Sequence, residues 1–236
     1  MRVAIIENMA DTHHGAVGAA LAKAGARLEV FRPYRQEPLP SGPDAHDALV
    51  VFGGEQNARD DARHPYLADL ATLMRAFGDT GKPVLGICLG SQMLARAYGG
   101  DNLIGAAPEF GWQSVELTEE AGRDPVLSAV ESGFTTFQWH DDTFSLPPGA
   151  VHLARNNAAT HQAFRVGRAA YGMQFHFEAD RSVVDRWRQA LPHVIERKEP
   201  GWLERHEELA ARHGPPAEAS GTSIAEAWVA LIAGGA

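Results

Sequence analysis

The clearest candidate for chemistry in this chain is its single cysteine, Cys88. It stands in the pattern G-x-C-x-G, between Gly86 and Gly90, after a short apolar run and before a stretch with helical spacing. Glycines on both sides permit a tight turn and close approach of a substrate, and a helix N-terminus favours a thiolate. A lone cysteine is most often a small buried apolar residue. The strand, turn and helix around this one instead predict a nucleophile.

A cysteine nucleophile needs a base that takes its proton and a third group that orients the base. Of the 11 histidines, His176 is the best candidate, because it follows the apolar run 171–175 and precedes Glu178 by two residues. Residues two apart on an extended segment point to the same side, so Glu178 can orient the imidazole. Functional sites of open α/β sheets lie at the carboxyl ends of strands, where Cys88 is also expected. Taken alone, the H-x-E motif is equally a plain surface pair.

A pair of glycines follows another predicted strand in the same topological position. Gly53 and Gly54 end the apolar run 48–52, so their N–H groups can face the thiol. Acyl chemistry requires hydrogen-bond donors for the developing oxyanion, and the N–H of Leu89, directly after the nucleophile, is a natural second donor. We therefore predict an oxyanion hole from Gly53, Gly54 and Leu89. An ordinary strand-to-loop turn is the alternative.

The elements that must position these residues alternate along the first half of the chain. Apolar runs predict strands at 3–6, 27–31, 48–52 and 84–87, and helical spacing predicts helices at 17–24, 66–77 and 93–98. Strands with continuous apolar runs, separated by helices, are typical of a parallel sheet covered on both faces.

The second half of the chain has a different pattern. Short strands broken by glycine and proline are predicted between residues 103 and 178, which indicates antiparallel or mixed sheet. Helices are expected over 180–190, 196–213 and 223–232, with 214–220 as a Pro/Ala linker. We expect one domain over 1–236, with a C-terminal helical extension from about residue 191.

Composition narrows the classes of function. The chain has 236 residues and a net charge of −9, which argues against a nucleic-acid partner and against an anionic membrane surface. One cysteine excludes an internal disulfide and suits a reducing compartment. Since the sequence contains no run of 18 apolar residues and no apolar leader, we expect a soluble cytoplasmic protein.

Three separated motifs together resemble a known family. The stretch K-P-V-L-G-I-C-L-G-S-Q-M-L-A, the glycine pair after an earlier strand and H-x-E near the end of the sheet resemble the class I, triad-type glutamine amidotransferases. The resemblance spans about residues 48–190 and looks most like the glutaminase part of GMP synthase. It implies a flavodoxin-like, three-layer α/β/α fold with a central, mostly parallel mixed sheet.

The resemblance also implies roles for individual residues. It makes Cys88, His176 and Glu178 the catalytic triad. It also implies a reaction that requires no metal and no organic cofactor. It assigns the amino-acid end of the substrate to Gln92, and a wall of the substrate site to the segment Gln138, Trp139, His140 and Asp141. One departure is the segment 55–57, E-Q-N, where family members often have a proline after the glycine pair.

The implied activity is hydrolysis of the glutamine side-chain amide through a γ-glutamyl thioester, with release of glutamate and ammonia. Two alternatives stay open: a γ-glutamyl hydrolase or peptidase with a larger leaving group, and a non-catalytic redox or binding module. The sequence has no G-x-G-x-x-G or G-x-x-x-x-G-K-[ST] motif, which indicates a free-standing glutaminase. The expected ligand is glutamine or a γ-glutamyl small molecule. The resemblance also allows a separate synthase that accepts the ammonia, and it allows a homodimer.

Overall fold

The computed structural model describes residues 1–234. Its strands, in chain order, are β1 (Arg2–Ile6), β2 (Arg27–Phe31), β3 (Ala48–Val51), β4 (Val84–Ile87), β5 (Asn102–Leu103), β6 (Glu109–Leu117), β7 (Gly133–His140), β8 (Thr143–Phe144), β9 (Val151–Arg155), β10 (Ala163–Val166) and β11 (Ala170–Met173). Its α-helices are α1 (Gly15–Lys23), α2 (Tyr66–Asp79), α3 (Leu89–Ala97), α4 (Arg181–Ala190), α5 (Pro192–Lys198) and α6 (Trp202–Ala233).

A nine-stranded sheet forms the centre, in the order β2-β1-β3-β4-β11-β10-β9-β6-β7. The first five strands in this order run parallel to their neighbours. The other four continue the sheet in antiparallel pairs. The predicted mixed sheet is therefore confirmed. Its parallel half brings the carboxyl ends of β3, β4 and β11 to one edge, which is where the candidate site residues begin.

Helices cover both faces of the sheet. Along β1, Val3 and Ile5 pack into one apolar cluster with α1 and α6. Ala4 and Ile6 face the opposite side and join a second cluster with α2 and α3. Successive residues of a strand point to opposite faces, so the two clusters are the two layers of core on either side of the sheet. This three-layer arrangement is the predicted one.

The C-terminal region differs from the sequence prediction. Residues 214–220 do not form a linker, because α6 continues through them without a break, with Pro215 and Pro216 inside the helix. The helix predicted at 196–213 is likewise split, since α5 ends before α6 begins. Although α6 is 32 residues long, none of the helices within residues 1–234 is both long and apolar enough to cross a membrane.

Close packing explains why this segment is helical. A Cβ atom on Gly214 would lie 2.4 Å from Cδ of Arg181 in α4, and one on Gly221 would lie 2.0 Å from the carbonyl oxygen of Phe177. A side chain at Gly221 would meet the main chain, whereas one at Gly214 would have to displace the Arg181 side chain. The small residues that suggest a linker in the sequence instead allow α6 to approach α4 and the segment that carries the candidate base.

Candidate active site

Cys88 occupies a sharp turn between β4 and α3. Its backbone has φ 52° and ψ −111°, a positive-φ conformation that L-residues adopt only where the surrounding structure enforces it. The flanking glycines are required sterically. A Cβ on Gly86 would lie 2.3 Å from the carbonyl oxygen of Gly90, and one on Gly90 would lie 2.1 Å from the carbonyl oxygen of Val51. The predicted strand–turn–helix geometry is thus present.

His176 and Glu178 meet, but through a turn and not through the predicted extended segment: β11 ends at Met173, residues 177–178 form a turn, and the Ala179 N–H donates to the His176 carbonyl over 3.3 Å. Nδ1 of His176 donates to Oε1 of Glu178 over 2.7 Å, and both side chains are buried. The backbone of the histidine is fixed as well, because its N–H donates to the carbonyl oxygen of Phe137 over 2.8 Å. With Nδ1 committed to the carboxylate, Nε2 is the ring nitrogen left for the thiol and a substrate.

The electrostatics of the pair favour the protonated imidazole. Burial opposes the charged ring, but the charge of Glu178 and hydrogen bonds with Cys88 and Glu178 outweigh it and raise the pKa of His176 to about 10. A ring that holds its proton at neutral pH can donate it to a leaving nitrogen. The same positive charge stabilises a neighbouring thiolate.

The glycine pair borders the thiol. A Cβ on Gly53 would lie 3.2 Å from Cε1 of His176 and 3.8 Å from Sγ of Cys88. Gly54 lies between other groups, since its Cβ would be 2.7 Å from Cβ of Asn8 and 3.1 Å from Cδ2 of Leu89. Leu89 is the first residue of α3, so its N–H has no partner in a preceding helical turn.

The predicted substrate-contacting segment divides into two sets. Trp139 and His140 line the cavity beside Cys88, together with Gln92. The carbonyl oxygen of Trp139 lies 3.7 Å from the cysteine sulfur. Gln138 is fully buried and is absent from the cavity lining; its side chain donates to Oε1 of Gln162 over 3.2 Å.

The amide of Gln92 is occupied within the protein. Its Nε2 donates to the carbonyl oxygen of Asp142 over 3.3 Å and to Oε1 of Gln174 over 3.2 Å. The same Asp142 carbonyl lies 3.0 Å from Nδ1 of His140. These hydrogen bonds hold the turn after β7 in place at the cavity wall, so the role of the Gln92 amide is to position that turn.

Sequence reasoning missed Asn8, which holds the glycine pair from behind. Its Nδ2 donates to the carbonyl oxygen of Phe52 over 2.7 Å. Its own carbonyl oxygen accepts from Nε2 of Gln56 over 2.8 Å, and its Oδ1 accepts from the Tyr66 hydroxyl over 3.2 Å. Asn8 is fully buried and is therefore anchored to the residues on both sides of Gly53 and Gly54. The only signal in the sequence is an asparagine just after the first strand.

The site opens into a cavity of about 570 Å³. Part of its lining comes from α4, α5 and the residue between them, through Trp187, Val194 and Leu191. The Trp187 ring meets the His176 ring edge to face, with centroids 5.1 Å apart. This part of the lining was not predicted from the sequence. Within residues 1–234, no group of three or more His, Cys, Asp or Glu side chains is arranged to hold a metal ion.

Comparisons with known proteins identify the family to which this fold belongs. The family model for "Glutamine amidotransferase class-I" matches residues 5–186. The chain is 32% identical over 181 residues to the glutamine amidotransferase-like protein YfeJ of Salmonella typhimurium, covering 75% of this chain and 76% of YfeJ. It is 32% identical over 134 residues to a glutamine-hydrolyzing GMP synthase subunit of Methanosarcina mazei, covering 56% of this chain and 64% of that protein.

A third relative is a hydrolase, and solved structures share the fold. The chain is 30% identical over 173 residues to the gamma-glutamyl-L-1-hydroxyisopropylamide hydrolase of a Pseudomonas species, covering 70% of this chain and 56% of that protein. The structure of a glutamine amidotransferase from Thermotoga maritima superposes with a TM-score of 0.86 at 25% identity, covering 98% and 97% of the two chains. This chain therefore belongs to the class-I glutamine amidotransferases.

Proposed function

We propose that this protein hydrolyses the side-chain amide of glutamine, with Cys88 as nucleophile, His176 as proton carrier and Glu178 as the group that orients it. The observation that carries the proposal is the shared placement of these three groups. Cys88 sits at a positive-φ turn beside a buried imidazole, and Nδ1 of that imidazole lies 2.7 Å from the carboxylate. Such a constellation activates a thiol towards a carbonyl.

In the acylation step, the Cys88 thiolate attacks the γ-carbonyl carbon and a C–S bond forms. Main-chain N–H groups from Leu89 and from Gly53 or Gly54 receive the oxyanion. The imidazolium of His176 then gives its Nε2 proton to the amide nitrogen. The C–N bond breaks, ammonia leaves, and a γ-glutamyl thioester remains on the cysteine.

In the deacylation step, the neutral imidazole takes a proton from a water molecule, which attacks the thioester carbonyl. The C–S bond breaks, the cysteine returns as thiolate, and glutamate is released. Glu178 keeps its hydrogen bond to Nδ1 through both steps, so that Nε2 always faces the reacting atoms. Each step needs only groups that the chain supplies and one water molecule.

For recognition of the amino-acid end, we propose that main-chain groups of the segment 139–142 contact the substrate. Gln92 and Gln138 support this segment indirectly, because their amides are engaged with internal partners. The segment E-Q-N after the glycine pair forms the rim in place of the family proline. There Gln56 is tied to Asn8.

A second candidate keeps the chemistry and enlarges the leaving group, giving a γ-glutamyl amide hydrolase. It is supported by the apolar part of the cavity lining, to which Trp187, Leu191 and Val194 contribute and which an ammonia leaving group does not need. It is also supported by the Pseudomonas relative, whose name states a γ-glutamyl amide as substrate. The relatives that are GMP synthase subunits favour a separate synthase as ammonia acceptor for the first candidate.

The test is to measure glutamine hydrolysis by the purified chain and by variants of the three groups. Cys88→Ala should abolish turnover, and His176→Ala should reduce kcat by about 10²–10⁴-fold, the range of general acid–base catalysis. Glu178→Gln should cost less than His176→Ala, because orientation is weakened while the proton carrier stays. Turnover by a clean, folded Cys88→Ala sample would refute the proposal.

A further inference from the structure

The orientation of the His176 ring sets the direction in which a leaving amine must depart. Nδ1 of His176 is bound to Glu178 at 2.7 Å, so the proton for the leaving nitrogen comes from Nε2. That nitrogen must lie within hydrogen-bond reach of Nε2. Any substituent on the nitrogen therefore extends into the part of the cavity on the His176 side.

The cavity wall on that side is apolar and is built by α4 and the start of α5. Trp187 packs edge to face on His176, with centroids 5.1 Å apart, and its Nε1 donates to the carbonyl oxygen of Asp11 over 3.2 Å. Leu191 and Val194 also line the cavity, four and seven residues after the tryptophan. Leu191 joins the two helices: its N–H donates to the Trp187 carbonyl over 2.8 Å, and its carbonyl accepts from the Val194 N–H over 3.1 Å. Trp187, Leu191 and Val194 are called here the α4–α5 wall.

The charges at the mouth of the cavity restrict the substituent further. Among residues 1–234, Arg63 is the one arginine that lines the cavity. It lies 3.7 Å from the carboxylate of Asp60. Carboxylates outside the triad are more numerous in that lining: Asp60 and Asp141 are paired with Arg63 and Lys198, and three more are Asp11, Glu55 and Asp142. A leaving group with its own carboxylate would be repelled at this mouth, whereas a neutral amine would not.

We infer that the α4–α5 wall is a subsite for the leaving amine, and that the substrates include γ-glutamyl amides of neutral, apolar primary amines. The inference rests on the proposed function and extends it from ammonia to a class of larger leaving group. The C–S bond forms and the C–N bond breaks as for glutamine. The amine takes the Nε2 proton, departs as R–NH₂ along the wall, and water then releases glutamate.

The test compares kcat/KM for three substrates on the full chain: γ-glutamyl-n-butylamide, glutamine and γ-glutamylglycine. The butylamide should be cleaved at least as efficiently as glutamine, and γ-glutamylglycine should be the poorest. In a Leu191→Ala/Val194→Ala variant, the ratio of kcat/KM for butylamide to that for glutamine should fall by about 10-fold or more, the effect of lost apolar contacts in a pocket. His193→Ala, an exposed position between the two, should leave this ratio unchanged.

The outcomes separate this inference from the proposed function. Cleavage of glutamine without cleavage of the butylamide would overturn the subsite and leave the proposed function standing. An unchanged ratio in the folded double variant would do the same, and preferred cleavage of γ-glutamylglycine would overturn the assignment to neutral amines. Absence of hydrolysis of all three substrates by the folded protein would overturn both.

Discussion

The hydrogen bonds of Asn8 give a sharp prediction about the glycine pair. Replacing Asn8 with alanine removes the donor to the Phe52 carbonyl and the acceptor for the Tyr66 hydroxyl. It leaves the main-chain bond to Gln56 in place. The peptide that enters the glycine pair then loses its anchor, so we expect the oxyanion donors to leave their position while the cysteine turn stays intact.

The expected losses of folding free energy and of kcat in Asn8→Ala follow from the groups that its hydrogen bonds hold. Leaving the buried Phe52 carbonyl unpaired costs about 1–3 kcal/mol of folding free energy. Misplacing one oxyanion donor lowers kcat by about 10²–10³-fold. Tyr66→Phe removes only the hydroxyl bond to Oδ1 of Asn8, so it should cost about 1 kcal/mol of stability and little kcat. The difference between the two variants isolates the bond from Asn8 to Phe52.

The assay pairs glutamine turnover with alkylation of Cys88 by iodoacetamide. Alkylation is a displacement at a saturated carbon and needs no oxyanion hole, so it reports only on the thiolate and its access. In Asn8→Ala, kcat should fall while the alkylation rate stays within a few-fold of wild type. An equal fall in both rates would indicate general disruption of the site. Unchanged kcat in the folded variant would refute the role of Asn8.

Three further predictions concern other contacts. Glu178→Gln removes the charge that raises the pKa of His176 to about 10. The stability that the ion pair contributes is complete below pH 6.5 and is lost as the pH rises through about 10. The Tm difference between wild type and variant should therefore shrink over that pH interval. Trp187→Leu should lower kcat by up to about 10-fold and shift its pH profile, because the ring contact with His176 is worth about 0.5–1.5 kcal/mol, whereas Trp187→Phe should retain most activity. Pro216→Ala should raise the unfolding free energy by up to about 3 kcal/mol, because it restores a helical N–H inside α6; a lower Tm would contradict this reasoning.

Much of the geometry around Cys88 could be predicted from local sequence. The apolar run before Cys88, the glycines around it and the helical spacing after it are local features, and together they define a strand–turn–helix unit. The pairing of His176 with Glu178 was predicted from alternation along an extended segment, whereas the structure forms it through a turn at residues 177–178. These features needed no knowledge of distant contacts, and the structure brings the three side chains together at one edge of the sheet.

The parts that sequence reasoning missed depend on distant contacts. Asn8 is 44 positions from Phe52, and no local pattern links an asparagine after the first strand to the carbonyl of the third. Residues 214–220 suggested a linker because glycine and proline disfavour helix locally. Packing against Arg181 and Phe177 overrides that preference, because only small side chains permit the close approach. The α4–α5 wall likewise becomes part of the site only through tertiary packing.

The proposed chemistry depends on a covalent γ-glutamyl thioester that forms on Cys88. The direct measurement is acid-quenched mass spectrometry of the full-length protein during glutamine turnover, followed by peptide mapping. We expect one added glutamyl group, located on the peptide that contains Cys88, and its loss in Cys88→Ala. A glutamyl group on any other residue, or steady glutamine hydrolysis by the Cys88→Ala protein, would contradict it.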